Sequence, residues 1–202
     1  MNPPGDRTPA DAASDPDWTV LARVGQGDRA AFEDLYKRYH GFLYRFVYQT
    51  TRRTESVDDV INEVMYVVWR KAAQTEPRSR VSTWLLGIAY NKSLKSLART
   101  GVRALETSLG DEDQAAYSDN AVGVREIEVN NLLEVALLQL SPEQRAVMEM
   151  VYYQGLHYSQ IAQIMNCPEN TVKTRIFHAR RRLRALWPEL TGSTAPPGPG
   201  ER

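Results

Sequence analysis

The sequence predicts an all-α protein: two small helical domains joined by a flexible acidic linker, the second carrying a helix-turn-helix. Three observations predict it. Apolar residues recur at three- and four-residue spacing through two long stretches, and nowhere in strict alternation. That pattern lapses between 101 and 130, where glycines and acids replace it. The second stretch then breaks around the tight-turn pair Asn166-Cys167, which separates two short periodic runs.

In chain order, residues 1–17 hold Pro3, Pro4, Gly5, Pro9 and Pro16 and read as a tail. Residues 18–100 form the first domain. Phe32, Leu35, Tyr36, Tyr39, Phe42, Leu43, Phe46 and Val47 make one helical stripe. Val57, Val60, Ile61, Val64 and Val68 make a second, and Val81, Trp84, Leu85 and Ile88 a third. No helix buries such a stripe alone, so the three predict one bundle. Residues 101–130, with Gly101, Gly110, Gly123 and the run Asp111-Glu112-Asp113, offer little core and read as the linker.

Residues 131–190 form the second domain. Leu132, Leu133, Ala136, Leu137 and Leu140 restore the helical spacing. Ser141-Pro142-Glu143-Gln144 is a helix start: Ser141 caps, Pro142 suits the first helical position, and Gln144 reaches back. Pro188 is expected to limit the last helix, and residues 191–202 read as a second tail.

Composition narrows the function classes. Of 202 residues, 42% are hydrophobic and 25% charged, as in ordinary globular chains. No apolar run nears the roughly 18 residues of a membrane span, and residues 1–17 lack a signal-peptide pattern. A cytoplasmic protein without membrane insertion is expected. One cysteine, Cys167, excludes an internal disulfide, and His40, His157 and His178 show no ligand spacing. No metal or cofactor is expected. The zero net charge conceals a polarity. Residues 18–100 carry fourteen Lys/Arg against eight Asp/Glu, 101–130 carry two against seven, and 131–190 carry seven against five. Two basic blocks flanking an acidic connector suit a polyanionic partner.

The sharpest motif lies between His157 and Leu186. Ile161-Ala162-Gln163-Ile164-Met165 is a short apolar helix with small Ala162 at its centre. Asn166 and Cys167 turn the chain, Pro168 opens a new helix, and Val172, Ile176, Ala179 and Leu183 anchor it. A small residue, a turn four positions on and a β-branched residue ten positions on describe a helix-turn-helix. Its exposed side offers Glu169, Asn170, Thr171, Lys173 and Thr174 to base edges, then Arg175, His178 and Arg181, with Arg182 and Arg184, to phosphates. A basic helix C-terminus complementing its own dipole is the bland alternative. Cys167 reads as a small turn residue in preference to a redox sensor.

From about Trp18 to Leu190 the chain resembles the extracytoplasmic-function sigma factors of the sigma-70 family. Leu140-Ser141-Pro142-Glu143-Gln144-Arg145 and Asn170-Thr171-Val172-Lys173-Thr174-Arg175 resemble the family's region 4, which binds the minus-thirty-five element. Alone, these runs also fit response-regulator output domains. Ser56-Val57-Asp58-Asp59-Val60-Ile61-Asn62-Glu63-Val64 with Trp69-Arg70-Lys71 resembles the helix that grips the polymerase clamp. Ser82-Thr83-Trp84-Leu85-Leu86-Gly87-Ile88-Ala89-Tyr90-Asn91 resembles the segment of region 2 that opens the minus-ten element.

The resemblance implies core RNA polymerase (clamp and flap), promoter DNA and an anti-sigma factor as partners. It implies polymerase binding through Asp58, Asp59 and Glu63, which span about one and a half helical turns. It implies minus-ten binding through Arg78, Arg80, Trp84, Asn91, Lys92 and Lys95, with the loop from Ala73 to Arg80 holding a flipped base. Trp84 reads as core or core edge before base platform. The linker acids Asp111, Glu112, Asp113 and Asp119 either mimic nucleic acid in the polymerase cleft or simply keep the linker soluble.

Three departures stand out. Only Lys95 and Arg99 appear where relatives carry consecutive arginines, His157 stands at a usual capping position, and Asn166 replaces a common glycine. The rival readings are a free-standing helix-turn-helix regulator, which needs a dimer and a symmetric operator, a hydrolase or transferase built on Asp58, Asp59 and Glu63, and a protein-only adaptor. No phosphate loop, nucleophile elbow or metal triad accompanies those acids, so a non-enzyme is expected.

Overall fold

The computed structural model describes residues 15–99, 101 and 135–191. The acidic linker, apart from Gly101, lies outside the described residues, as do Leu132, Leu133 and most of both predicted tails. Among the described residues every regular element is helical.

The first four helices are α1 (Asp17–Gly25), α2 (Arg29–Thr51), α3 (Val57–Lys71) and α4 (Val81–Arg99). Asp28 caps α2 by accepting from the Ala31 N–H at 3.1 Å. That bond and the Arg23 guanidinium hold the Asp28 carboxyl below its usual range. Arg52 ends α2 in the left-handed region at φ 55°, donating its N–H to the Tyr48 carbonyl. α3 starts with Asp58 and Asp59 and ends with Arg70 and Lys71, the charge order its dipole favours.

The predicted stripes meet in one core. Leu35, Leu43, Phe46, Val47, Val57, Ile61, Val64, Val68, Val81 and Leu85 are fully buried. Each such side chain contributes roughly 1.5–3 kcal/mol through removal from water. Phe32, Tyr36 and Phe42 of the first stripe stay half-buried; Phe32 instead sets an edge against the exposed Trp69 ring, centroids 5.2 Å apart.

Order begins ahead of the predicted boundary at Trp18. The Asp15 carboxylate accepts the Val81 N–H at 2.9 Å and so caps α4 from outside. Asp17 accepts from the Arg38 guanidinium and the Tyr39 hydroxyl. Burial first, and then this bond to Asp17, push the Tyr39 hydroxyl well above its usual pKa.

The second domain has a helical turn at 135–138, then α5 (Pro142–Met148), α6 (Tyr158–Met165) and α7 (Glu169–Thr191). The capping box forms as expected: Ser141 Oγ accepts the Gln144 N–H at 3.2 Å, and Gln144 Oε1 accepts the Ser141 N–H at 3.1 Å. α5 runs on into a π-helical turn, Glu149–Tyr153, and Gly155 at φ +64° then reverses the chain. The expectation that Pro188 limits the last helix is corrected. Pro188 lies inside α7, which continues to Thr191. So near the end, the missing N–H removes one helical bond and no turn follows to be broken.

The two domains pack on each other, α2 against α5 and α4 against α6. Ala146, Val147, Met150 and Ile161 join the first domain's apolar core. Arg145, only 5% exposed, donates through Nε to the Thr50 carbonyl at 3.1 Å and through a terminal nitrogen to the Leu140 carbonyl at 2.6 Å. Arg45 of α2 donates to Glu149 Oε1 at 2.9 Å, and its guanidinium lies 3.3 Å from the Tyr153 ring centroid.

Candidate nucleic-acid interface

The helix-turn-helix is α6, the turn Asn166-Cys167-Pro168, and α7. Asn166 adopts the left-handed conformation at φ 48°, which its side chain tolerates where most residues strain. Gln160 reaches back to accept the His157 N–H at 3.0 Å, so the helix keeps a bond at its unusual start. Pro168 stands one position earlier than the sequence suggests. Its carbonyl accepts from Thr171 and Val172, and the first helical residue is Glu169. Val172, Ile176 and Ala179 are buried, pinning α7 to the core, and Leu183 is half-buried.

This packing turns Glu169, Asn170, Lys173, Thr174, His178 and Arg181 to solvent, while Thr171 and Arg175 are half-buried. Lys173 pairs with Glu169 at 2.9 Å along the helix. The Thr174 hydroxyl donates back to the Asn170 carbonyl at 2.9 Å. Arg175 folds over the turn, its guanidinium 3.8 Å from Met165 Sδ and 3.7 Å from Cys167 Sγ. Arg175 is thus partly a packing residue, and Cys167 is its neighbour. Phe177, 61% exposed on the same helix, was not singled out by sequence reasoning; an aromatic off the Val172/Ile176/Ala179 phase was the available signal.

On the first domain, Asn91, Lys95 and Arg99 are exposed along α4, and Lys92 is half-buried. Asn91 donates to the Gly87 carbonyl at 2.8 Å. Lys92 and Arg99 clamp Glu63 of α3 from both sides, at 2.9 and 2.8 Å. The Lys92 hydrogen bond, outweighing partial burial and aided by Arg99, holds the Glu63 carboxyl below its usual range. Trp84 is half-buried on the core edge. It lines a crevice of about 310 Å³ with Ser79, Gly87 and Asn91 on one side and Gln160, Gln163 and Ile164 of α6 on the other.

The loop from Ala73 to Arg80 is fastened at both ends by α1. Gly25 lies so close to Ala73 that an added Cβ would come within 2.8 Å of its backbone. The Trp18 indole N–H donates to the Ser79 carbonyl at 3.0 Å. Arg78 and Arg80 are exposed, Arg78 in an ion pair with Glu76 at 2.8 Å. Sequence reasoning missed the Asp15 and Trp18 contacts, because nothing local shows what lies 60 residues away.

The three carboxylates Asp58, Asp59 and Glu63 do not share one free surface. Asp58 and Asp59 are exposed, Asp58 lying 3.8 Å from His40 Nε2, whereas Glu63 is spent on α4. The open side of α3 continues instead through Asn62, Tyr66 and Trp69. Tyr66, 64% exposed, was overlooked in the sequence although it recurs at helical spacing on that side. Among the described residues no group of three or more His, Cys, Asp or Glu is placed to hold a metal. No helix among them is long and apolar enough to cross a membrane.

Two family models match the chain: "Sigma-70 region 2" over residues 35–102 and "Sigma-70, region 4" over residues 130–183. Both fall on the helical groups just described. The chain is 33% identical over 173 residues to the ECF RNA polymerase sigma factor SigM of Mycobacterium tuberculosis, covering 84% of each chain. It is 30% identical to the ECF RNA polymerase sigma-E factor of Haemophilus influenzae, covering 83% of this chain and 93% of that one. The fold is that of the sigma factor RpoE solved with the anti-sigma factor NepR from Bartonella quintana, with a TM-score of 0.58 at 21% identity, covering 81% and 98%. With both regions present in order, and identity at this level over most of each chain, this protein belongs to the sigma-70 family as an ECF RNA polymerase sigma factor.

Proposed function

We propose that the chain directs core RNA polymerase to a set of promoters by reading two DNA elements with its two domains. α7 enters the major groove of the minus-thirty-five element, where Glu169, Asn170, Thr171, Lys173 and Thr174 face base edges. Arg175, His178 and Arg181 lie along the phosphates. Each neutralised phosphate steepens the salt dependence of binding by about 0.9 in the log–log slope. Asn91, Lys92 and Lys95 of α4 follow the separated non-template strand of the minus-ten element. Arg78 and Arg80 present the fastened loop to a flipped base, with Trp84 at its foot.

Asp58 and Asp59, with the neighbouring aromatics Tyr66 and Trp69, dock on the polymerase clamp, and the second domain meets the flap. Glu63 acts from behind by holding Lys92 and Arg99 in place. The protein works in the cytoplasm beside the polymerase, which performs all covalent chemistry. An anti-sigma factor, as in the solved relative, is its regulator.

The observation that carries this reading is one chain with a solvent-facing recognition helix and a second cationic helix tied to an acidic neighbour. A free-standing regulator needs only the first. The test is run-off transcription from fragmented genomic DNA with polymerase stripped of other sigma factors. Discrete transcripts that need this chain, and that vanish with Asp58→Lys/Asp59→Lys, are the expected result. Polymerase output unchanged by the chain, together with its unaided binding to a palindromic duplex, would overturn the proposal.

A further inference from the structure

Helix α1 seats itself in the core of the first domain through Leu21 and Val24, both buried. The polar groups around its start reach further, to the loop from Ala73 to Arg80. The Asp15 carboxylate joins two helix starts: one oxygen accepts the Asp17 N–H at 3.1 Å, the other the Val81 N–H at 2.9 Å. Each helix start carries donors without a partner in its own helix and a partial positive charge, so a single carboxylate serves both. Three residues on, the Trp18 indole N–H donates to the Ser79 carbonyl at 3.0 Å. At the other end of α1, Gly25 lies against the Ala73 backbone, where a Cβ would stand 2.8 Å away. Asp17 anchors the helix in turn on α2, accepting from the Arg38 guanidinium and the Tyr39 hydroxyl.

We infer that Asp15 and Trp18 are positioning residues for strand opening: they hold the Ala73–Arg80 loop in its base-receiving shape before DNA arrives, with Ser79 standing beside Trp84 at the crevice. This rests on the reading of that loop given under Proposed function, and both residues act through the loop.

Three observations carry it. First, the loop does little to fix itself. The Arg78 N–H reaches only back to the Glu76 carbonyl at 2.8 Å, and Pro77 has no N–H to give. The Arg78 side chain likewise pairs with Glu76, two residues away, and not with the core. Second, the bonds from α1 fall at the end of the loop that faces the crevice. Ser79, held by Trp18, lines it together with Thr83 and Trp84, which lie on the first turn that Asp15 caps. Without those bonds Ser79 and the start of α4 fray together. Third, a loop shaped in advance captures a base more readily, because ordering it on contact costs conformational entropy that is subtracted from the affinity.

The test uses the full-length chain and its complex with core polymerase, on a promoter mapped by the transcription assay. Trp18→Phe keeps a ring and removes the donor, Asp15→Ala removes both acceptors, and Asp15→Asn keeps one. In the free chain, amide exchange at Val81 and Trp84 is expected to quicken about tenfold for Asp15→Ala and about threefold for Trp18→Phe, with Asp15→Asn between Asp15→Ala and the parent. The thermal midpoint of Trp18→Phe should stay nearly fixed. In the polymerase complex, binding of the closed duplex is expected to match the parent. Opening, followed by an adenine analogue that brightens on unstacking in the minus-ten segment, should slow about fivefold for Trp18→Phe. Abasic sites are then placed singly along the non-template minus-ten segment. At one position the missing base should slow the parent about tenfold and Trp18→Phe only about twofold, because a loop that has lost its shape has less to lose. Losses that simply multiply, or opening unchanged despite faster exchange, would overturn the positioning role. Exchange unchanged in all the variants would overturn the ordering of the loop. Opening insensitive to a missing base at every position would sink the reading of the loop itself, while the exchange data still decide whether Asp15 and Trp18 order it.

Discussion

The first domain closes its core with large aliphatic and aromatic side chains from four helices, among them Leu21, Leu35, Leu43, Phe46, Ile61 and Leu85, all essentially inaccessible. The second domain has smaller means. Ala146, Val147, Val172 and Ala179 are its fully buried positions beside Leu140, Met150 and Ile161, and part of that burial is against the first domain. The second domain draws part of its burial from the first, so damage to the first domain's larger core should reach the second more than the reverse.

The largest break in this comparison comes from Phe46→Ala, which hollows the core of the first domain. A loss of about 3–5 kcal/mol is expected in denaturant unfolding, with the second domain's transition shifting as well. A second transition left untouched would mean the borrowing is absent.

Arg145→Met comes next. It strips the Thr50 carbonyl of its donor while keeping apolar bulk, and should cost the second domain about 1–3 kcal/mol while the first domain's midpoint stays nearly fixed. Domain-resolved hydrogen exchange separates the two. Ser141→Ala removes the α5 cap for about 1 kcal/mol, confined to the second domain.

The smallest effect is electrostatic. The Glu63 carboxyl titrates below its unfolded value near 4.5, so its contribution is complete above that pH and fades as pH falls through the lowered folded value. Glu63→Gln should flatten the acid limb of the first domain's melting curve without moving its neutral plateau by more than about 1 kcal/mol, since the pair is partly exposed. An unchanged acid limb would show that Lys92 and Arg99 do not depend on Glu63.

Most of the local structure was legible in the sequence because it is encoded locally. The stripes at Leu35/Tyr39/Leu43 and Val57/Ile61/Val64, the Ser141/Gln144 box and the Asn166 turn all act over three or four residues. The recognition-helix face followed from the phase of Val172, Ile176 and Ala179. What escaped was long-range pairing. Asp15 capping α4, Trp18 fastening Ser79, Glu63 bridging to Lys92, and Arg145 capping α2 each link residues 29 to 95 positions apart. Periodicity is silent on such pairs. One clue was present: Arg145 and Glu149 interrupt an apolar face, and a charge in that place implies a partner across the interface. Pro188 does not stop α7 where the sequence predicts it, because it stands within the last turn, where a proline disrupts less than in a helix interior.

Run-off transcription with core polymerase on a promoter mapped with this chain, comparing Lys173→Ala/Arg181→Ala in α7 with Lys92→Ala/Lys95→Ala in α4, tests the central claim most directly. The predicted result is that the α7 pair weakens binding of the duplex promoter, whereas the α4 pair leaves that binding intact and loses strand opening. Full binding and full opening with both pairs would contradict it.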